Sequence, residues 1–507
     1  MASMQAKDFA RSPARAPGNS APAGVDPQLF RERAYIGGEW IGADSRATID
    51  VDDPATGKRL GSVPDLGAAE VRRALAAAAT AQIAWAKRTV YERATVLHRW
   101  AELMEQYRED LARLMTFEQG KPLAEARGEI DYARSFIDWF AEEAKRHSGE
   151  VIPSHLPGKR LFTLRVPVGV TAAITPWNFP SAMITRKAGA ALAAGCAMVV
   201  RPANESPYSA LALAALAEEA GLPPGLFSVV TGDARRLSTA LLESTTVRHL
   251  SFTGSTEVGR LLMRQSADTV KKVALELGGH APCIVFDDAD LERAVDGAMN
   301  AKFATSGQDC LAANRIYVHR KLYAAFCERF AAATRALKVG NGFDPDVSIG
   351  PLIGARAVQK CAAHVADALA QGAHLLAGGA VHAAGPNFFT PTVLADVTPR
   401  MRIFHEETFG PVAAICAFDD EEAVLRSAND TEFGLAAYCF GNDLNRLWRT
   451  AEQLEYGMVA VNSAKMTGPP IPFGGIKQSG LGREGARAGL EEYTETRYVC
   501  VDGIDRH

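Results

Sequence analysis

Val168-Gly169-Val170-Thr171-Ala172-Ala173-Ile174-Thr175 is a short apolar run of β-branched and small residues, and it opens a stretch of alternating strands and helices. The pattern predicts a helix over Ser181–Ala194, a strand over Ala197–Val200 and a helix over Tyr208–Gly221. Strands are expected again at Phe227–Val230 and His249–Phe252. Strands that are apolar throughout and separated by helices are buried on both faces, so this stretch reads as a doubly wound parallel sheet of the α/β class. A second α/β series starts near Ala281-Pro282-Cys283-Ile284-Val285-Phe286 and runs to about Phe473. Upstream, Leu66–Arg146 is mainly helical in texture. Between that region and the first strand, Arg160-Leu161-Phe162-Thr163-Leu164-Arg165-Val166 alternates as an exposed strand or arm does. Tyr498-Val499-Cys500-Val501 is a strand in need of a partner, and the Ser148–Val168 arm is the natural one, in the same subunit or in a second.

Composition narrows the function classes. The chain has 507 residues, 47% of them hydrophobic and 22% charged, ordinary values for an enzyme of more than one domain. A net charge of −4 supplies no field to recruit nucleic acid or a membrane surface. The longest apolar candidate, Ala188–Val200, is bounded by Lys187 and Arg201 and falls short of the roughly eighteen residues of a spanning helix. The first residues, rich in Ala, Pro, Arg and Ser, read as a disordered tail. Asp8 and the missing amphipathic period argue against a transit peptide. The 8 cysteines are scattered, with no Cys-x-x-Cys and no nearby paired histidines, so neither a disulfide framework nor a metal site is expected. A reducing cytoplasmic setting fits that usage.

One cysteine stands apart. Cys310 ends Ser306-Gly307-Gln308-Asp309-Cys310, a small and polar setting rather than an apolar one, which suits a thiol that is reached by a reactant. Glu276, in Leu275-Glu276-Leu277-Gly278-Gly279, is an acid in an apolar segment, where its pKa should rise into the range of a base that activates water. Asn178, in Pro176-Trp177-Asn178-Phe179-Pro180, follows the first strand; it is either a turn residue or an amide placed to donate to an oxyanion. Phe252-Thr253-Gly254-Ser255-Thr256-Glu257-Val258-Gly259 joins a strand to a helix. Such a turn aims backbone N–H groups at a phosphate or is a plain connection. Arg201-Pro202-Ala203-Asn204 follows the next strand, where a nucleotide ribose sits in such sheets. A cation and an amide there tolerate a 2′-phosphate that an acid would repel, or the segment is a plain proline-rich loop with a surface arginine.

Taken in this order, Pro176-Trp177-Asn178, Phe252-Thr253-Gly254-Ser255, Glu276-Leu277-Gly278-Gly279, Gly307-Gln308-Asp309-Cys310, Glu406-Glu407-Thr408-Phe409-Gly410-Pro411 and Pro472-Phe473-Gly474-Gly475 resemble the aldehyde dehydrogenase superfamily. The likeness covers roughly residues 30–503. Ile184-Thr185-Arg186-Lys187 and Lys477–Gly485 look like its succinate-semialdehyde dehydrogenase branch. The resemblance implies two doubly wound domains and a small β arm that joins subunits of a homodimer or homotetramer. Residues 30–147 and 168–280 would form the cofactor-binding domain, 281–478 the catalytic domain, 148–167 and 479–507 the arm and C-terminal strand, and 1–29 a disordered tail. It further implies NAD(P)-dependent oxidation of a small-molecule aldehyde through a thiohemiacetal and a thioester. Cys310 would be the nucleophile, Glu276 the base, Asn178 the oxyanion donor, and Lys187 a member of the catalytic shell. Trp177, Gly254, Ser255, Arg201, Asn204, Glu407 and Phe409 would hold NAD or NADP, with NADP tolerated and even preferred. Arg186, Lys465 and Phe473 would face the substrate.

The chain also departs from that branch. Ala304 stands where an arginine commonly follows the Lys-Phe before the nucleophile, so the clamp on a distal carboxylate is reduced to Arg186, with Lys465 as a substitute. Ala312 replaces a second cysteine, which removes a local disulfide switch. Asp309 beside the nucleophile should raise the thiol pKa unless it is paired. The substrate is therefore either a semialdehyde such as succinate semialdehyde or a longer, aromatic or uncharged aldehyde. A dehydrogenase that passes the acyl group to coenzyme A is disfavoured by Glu276, and a non-enzymatic protein of this fold by the retention of Cys310, Glu276 and Asn178 together.

Overall fold

The strand Val170–Ile174 is buried at every position and lies at the centre of a mixed eight-stranded sheet. We describe the fold from a computed structural model, which covers residues 21–503. From Val170–Ile174 the chain steps through Ala197–Arg201 to Phe227–Val229 on one side. It then crosses back to add Val247–Thr253 and Lys272–Glu276 on the other, all in parallel. Short antiparallel strands at Ala34–Ile36, Glu39–Ile41 and Gly480–Leu481 close the edges. The order reverses between Val170–Ile174 and Val247–Thr253, and a crevice opens there beyond the carboxyl ends of the strands.

The helical region consists of Ala68–Ala86, Val90–Gln106, Arg108–Gln119 and Leu123–Glu143. A capping box starts the second of these: Glu92 N–H donates to Thr89 Oγ1 at 3.3 Å and Thr89 N–H to Glu92 Oε2 at 2.7 Å. Gly120, at φ 85°, ends the third in the left-handed conformation and turns the chain into Lys121-Pro122.

The second sheet has seven strands. Ala281–Val285 is interior, with Ala313–His319, Val412–Phe418, Thr392–Ala395 and antiparallel His374–Ala377 on one side, and Ala436–Phe440 and Met458–Val461 on the other. Glu276-Leu277-Gly278-Gly279-His280 is the link between the two sheets, so its residues lie at their junction. Among the described residues no helix is long and apolar enough to cross a membrane.

The arm forms within one chain: Thr494–Asp502 pairs antiparallel with Lys159–Pro167, and Val151–Ile152 adds a third strand. Two expected boundaries need correction. The tail proposed for 1–29 lies outside the described residues as far as residue 20; beyond that, Val25 and Leu29 are buried in the first core, so the packed chain begins earlier than composition suggested. The segment after residue 479 is not all arm. Gly480–Leu481 pairs with Lys272–Glu276, and the helix Ala486–Glu491 packs on Ala182–Ala194 and Leu123–Glu143. Gly480, at φ 136°, permits that return, since a Cβ there would overlap the Leu275 carbonyl oxygen.

Candidate active site

The loops that follow the strands on either side of the order reversal meet over a cavity of about 260 Å³. Asn178 from the first loop, Glu276 from the inter-sheet link and Cys310 from the segment before Ala313–His319 all line it. Residues from both sheets thus converge on one space.

The approach to Cys310 is held tightly. Thr305 and Ser306 are left-handed at φ 52° and 57°, a conformation that side chains other than glycine adopt at a cost. Glu125 accepts from Thr305 N–H at 3.1 Å, and Gly350 N–H donates to Ser306 Oγ at 2.9 Å. Gln308 Oε1 accepts from Ile353 N–H at 2.9 Å. The polar residues that drew attention to Cys310 therefore tie its loop to residues 350–353. Gly279 lets the inter-sheet link pass against it, because a Cβ there would overlap the Cys310 carbonyl oxygen. Burial first, then Asp309, Glu407 and Glu276, raise the thiol well above its usual pKa, with Arg186 opposing. Asp309 has neutral donors but no cation paired with it: its carboxylate accepts from Leu311 N–H at 3.0 Å and from the Cys310 thiol. The resting sulfur is a thiol, and its activation requires a base.

Glu276 lines the same cavity. It is buried, and its Oε2 has no hydrogen-bond partner in the protein. Desolvation, and next the Glu484 carboxylate, push its pKa well above the ordinary value, while Arg186, Lys187 and Arg483 pull it down. Glu484 pairs with Arg186 Nε at 2.9 Å and with Lys187 Nζ, which also donates to Thr253 Oγ1 at 2.7 Å. Glu484→Gln removes the one charged group that raises Glu276 and frees both cations to stabilise its anion. The acid limb of the kcat–pH profile is expected to move to lower pH; an unmoved limb would place the titrating group elsewhere.

Asn178 sits on a buried scaffold. Its Nδ2 donates to the Gln308 carbonyl at 3.0 Å, and its own backbone carbonyl accepts from Lys121 Nζ at 2.9 Å. Lys121 pairs with Glu129, both about 1% exposed, and lies 3.9 Å over the Phe179 ring. Glu129 Oε1 in turn accepts from Ser181 N–H at 3.0 Å and Ala182 N–H at 3.2 Å, capping the helix Ala182–Ala194. Among the described residues the Cys310 N–H has no partner, so that group and the Asn178 amide can both donate to an oxyanion at the sulfur.

The other wall of the cavity fits a dinucleotide. Trp177 and Phe409 meet edge to face at 5.6 Å, and Gly254 and Ser255 line the cavity where the helix Thr256–Ala267 begins. Glu407 accepts from Gly279 N–H at 3.0 Å, and burial raises its pKa to about 7. A Cβ on Gly278 would come within 3.1 Å of Glu407 Oε2, so the small residue keeps that carboxylate open to the cavity. Arg201 and Asn204 lie together beyond the adjacent strand, Nη2 donating to Asn204 Oδ1 at 2.9 Å and to the Gly232 carbonyl at 3.2 Å. Arg201 Nε is buried without a partner.

Residues expected to face the substrate divide. Lys465 lines a second cavity of about 270 Å³ together with Ala304, Asp309 and Tyr438. Arg186 and Phe473 line neither cavity. The guanidinium lies 3.9 Å over the Phe473 ring, is fully buried, and is paired with Glu484. A charge placed on a helix in the sequence gives no hint of this partner. Sequence reasoning also passed over Lys121, Glu125 and Glu129, which lie in an ordinary helical stretch. Glu484 was part of a quoted motif but drew no role.

Comparison with known proteins gives the same picture. The model of the aldehyde dehydrogenase family matches residues 40–499. Glutarate-semialdehyde dehydrogenase of Pseudomonas aeruginosa is 56% identical over 479 residues, 94% of this chain and 99% of that protein. The succinate-semialdehyde dehydrogenase of Escherichia coli named for NADP(+) is 56% identical over 476 residues, 94% of this chain and 99% of that one. The crystal structure of succinate-semialdehyde dehydrogenase from Burkholderia pseudomallei superposes with a TM-score of 0.94 at 55% identity, covering 95% of this chain and 100% of that chain.

Proposed function

The chain belongs to the aldehyde dehydrogenase family, and on that premise we propose that it oxidises a semialdehyde, with succinate semialdehyde as the first candidate, to the dicarboxylic acid using NAD or NADP. The observation that carries this reading is the convergence of Cys310, Glu276 and Asn178 on one cavity at the reversal of strand order. Cys310 loses its thiol proton to solvent water, and its Sγ adds to the aldehyde carbon. The Asn178 amide and the Cys310 N–H hold the oxygen that becomes negative. The chemistry that a bound nicotinamide supplies is acceptance of the hydride whose loss leaves a thioester on Cys310. Glu276, in its buried position, then takes a proton from water as that water attacks, and the acid leaves. Lys187 and Arg186 lower the basicity of Glu276 directly and pair with the Glu484 that raises it, and Lys465 is the cation available to a distal acid group.

The names of the relatives above denote aldehydes that carry a second acidic group, which supports the substrate class. The test is kcat/KM for succinate and glutarate semialdehyde against an aliphatic and an aromatic aldehyde, with each cofactor. A semialdehyde advantage of about tenfold or more is expected from one charge-assisted contact; a tenfold advantage for uncharged aldehydes would overturn the substrate class.

NADP is the preferred cofactor in this reading, because Arg201 has an unpartnered buried Nε and no acid precedes Asn204 in its loop. Arg201→Ala should lower kcat/KM for NADP about ten- to a hundredfold and leave that for NAD within a few-fold. An equal loss for both cofactors would remove Arg201 from the 2′-phosphate. The three-stranded arm supports a homodimer or homotetramer, and eight free cysteines support a cytoplasmic setting.

A further inference from the structure

The second cavity has an unusual charge pattern for an enzyme of acidic semialdehydes. Asp309 lines it directly beside the nucleophile, and Ala304 on the same wall brings no cation to balance that acid. Asp309 forms no ion pair among the described residues. The cations that act on it from a distance, Lys121 and Arg186, are already committed to Glu129 and Glu484. The Tyr438 hydroxyl, also in the lining, donates to the Leu311 carbonyl at 2.9 Å. Lys465, in the same lining, is exposed, and its ammonium has no carboxylate partner among the described residues. The cavity therefore holds an acid beside the nucleophile that no cation is paired with, and a cation that no carboxylate is paired with.

We propose that Asp309 is a specificity-determining residue that selects semialdehydes carrying an ammonium group, so that the substrates taken best are amino-acid semialdehydes, with their carboxylate toward Lys465. The inference rests on the semialdehyde reading above and deepens it. A plain dicarboxylic semialdehyde leaves Asp309 desolvated and unpaired, whereas an ammonium group answers it with a charge-assisted hydrogen bond. The same pairing acts on the chemistry. After burial, Asp309 is the group that most raises the Cys310 thiol, so a cation on Asp309 makes the thiolate easier to form. Substrate and activating charge arrive together.

The test compares succinate semialdehyde with its 2-amino counterpart, aspartate 4-semialdehyde, a pair of four-carbon compounds that differ by that one group. In the unaltered enzyme kcat/KM is expected to favour the amino compound by about tenfold or more. In Asp309→Asn the preference should collapse, through a higher KM for the amino compound and a rise in kcat/KM for succinate semialdehyde. Lys465→Met should lower both substrates by a common factor. The proposal is overturned if the unaltered enzyme prefers succinate semialdehyde, if Asp309→Asn leaves the ratio in place, or if Lys465→Met moves the ratio as far as Asp309→Asn does. If uncharged aldehydes are oxidised and neither four-carbon compound is, the semialdehyde reading falls and this one with it.

Discussion

Glu276→Gln is expected to release about one equivalent of NAD(P)H per active site in a rapid burst and then nearly to stop. Glutamine fits the same buried space at the end of Lys272–Glu276 but has no basic oxygen to take a proton. Because the Cys310 proton leaves to solvent and not to Glu276, acylation proceeds once and the thioester accumulates. Steady-state turnover should fall by roughly 10² to 10⁴, the range of a lost general base. Stopped-flow absorbance reads the burst, and intact mass reads the acyl adduct on Cys310. Loss of turnover with no burst and no adduct would move the essential role of Glu276 to thiol activation, before the hydride leaves.

The second large effect concerns stability. Lys121→Met leaves Glu129 as a buried carboxylate without its counter-ion, and removing one partner of a buried pair typically costs about 3–5 kcal/mol. It also strips the Asn178 carbonyl of its only cationic donor among the described residues, so kcat should fall more than KM rises. Adding Glu129→Gln to that variant should restore much of the stability, because the amide oxygen still caps Ser181 and Ala182 while the charge is gone. Denaturant midpoints of the single and double variants, with kcat beside them, make the comparison. A cost below about 1 kcal/mol for Lys121→Met would show that water reaches the pair and that it is no scaffold for Asn178.

Much of the architecture was legible because burial on both faces writes itself into a strand as an unbroken apolar run. Val170–Ile174, Ala197–Arg201 and Ala281–Val285 are buried throughout and were readable for that reason. The helix Ala234–Glu243 was not read, although Asp233 caps it, because ten amphipathic residues between strands resemble a loop. In the site, Cys310, Glu276 and Asn178 were visible through odd company: a thiol in polar surroundings, an acid in apolar ones, an amide closing a strand. Their support was not. Lys187 and Glu484 are 297 residues apart, and nothing in either neighbourhood announces the other. The same blindness made Arg186 look like a substrate clamp, when its charge is met from the far end of the chain.

That separation bears on how the protein is made. The strand Gly480–Leu481 that finishes the first sheet leaves the ribosome well after the strands it joins, and Glu484 follows Lys187 by 297 residues. Until they arrive, the growing chain can assemble most of its first sheet but must keep two cations out of a core that has no anion for them. Closure of that core and completion of the machinery around Glu276 are therefore one event. A chain that stops before Gly480 is left with an unfinished sheet edge and with Arg186 and Lys187 lacking their common anion.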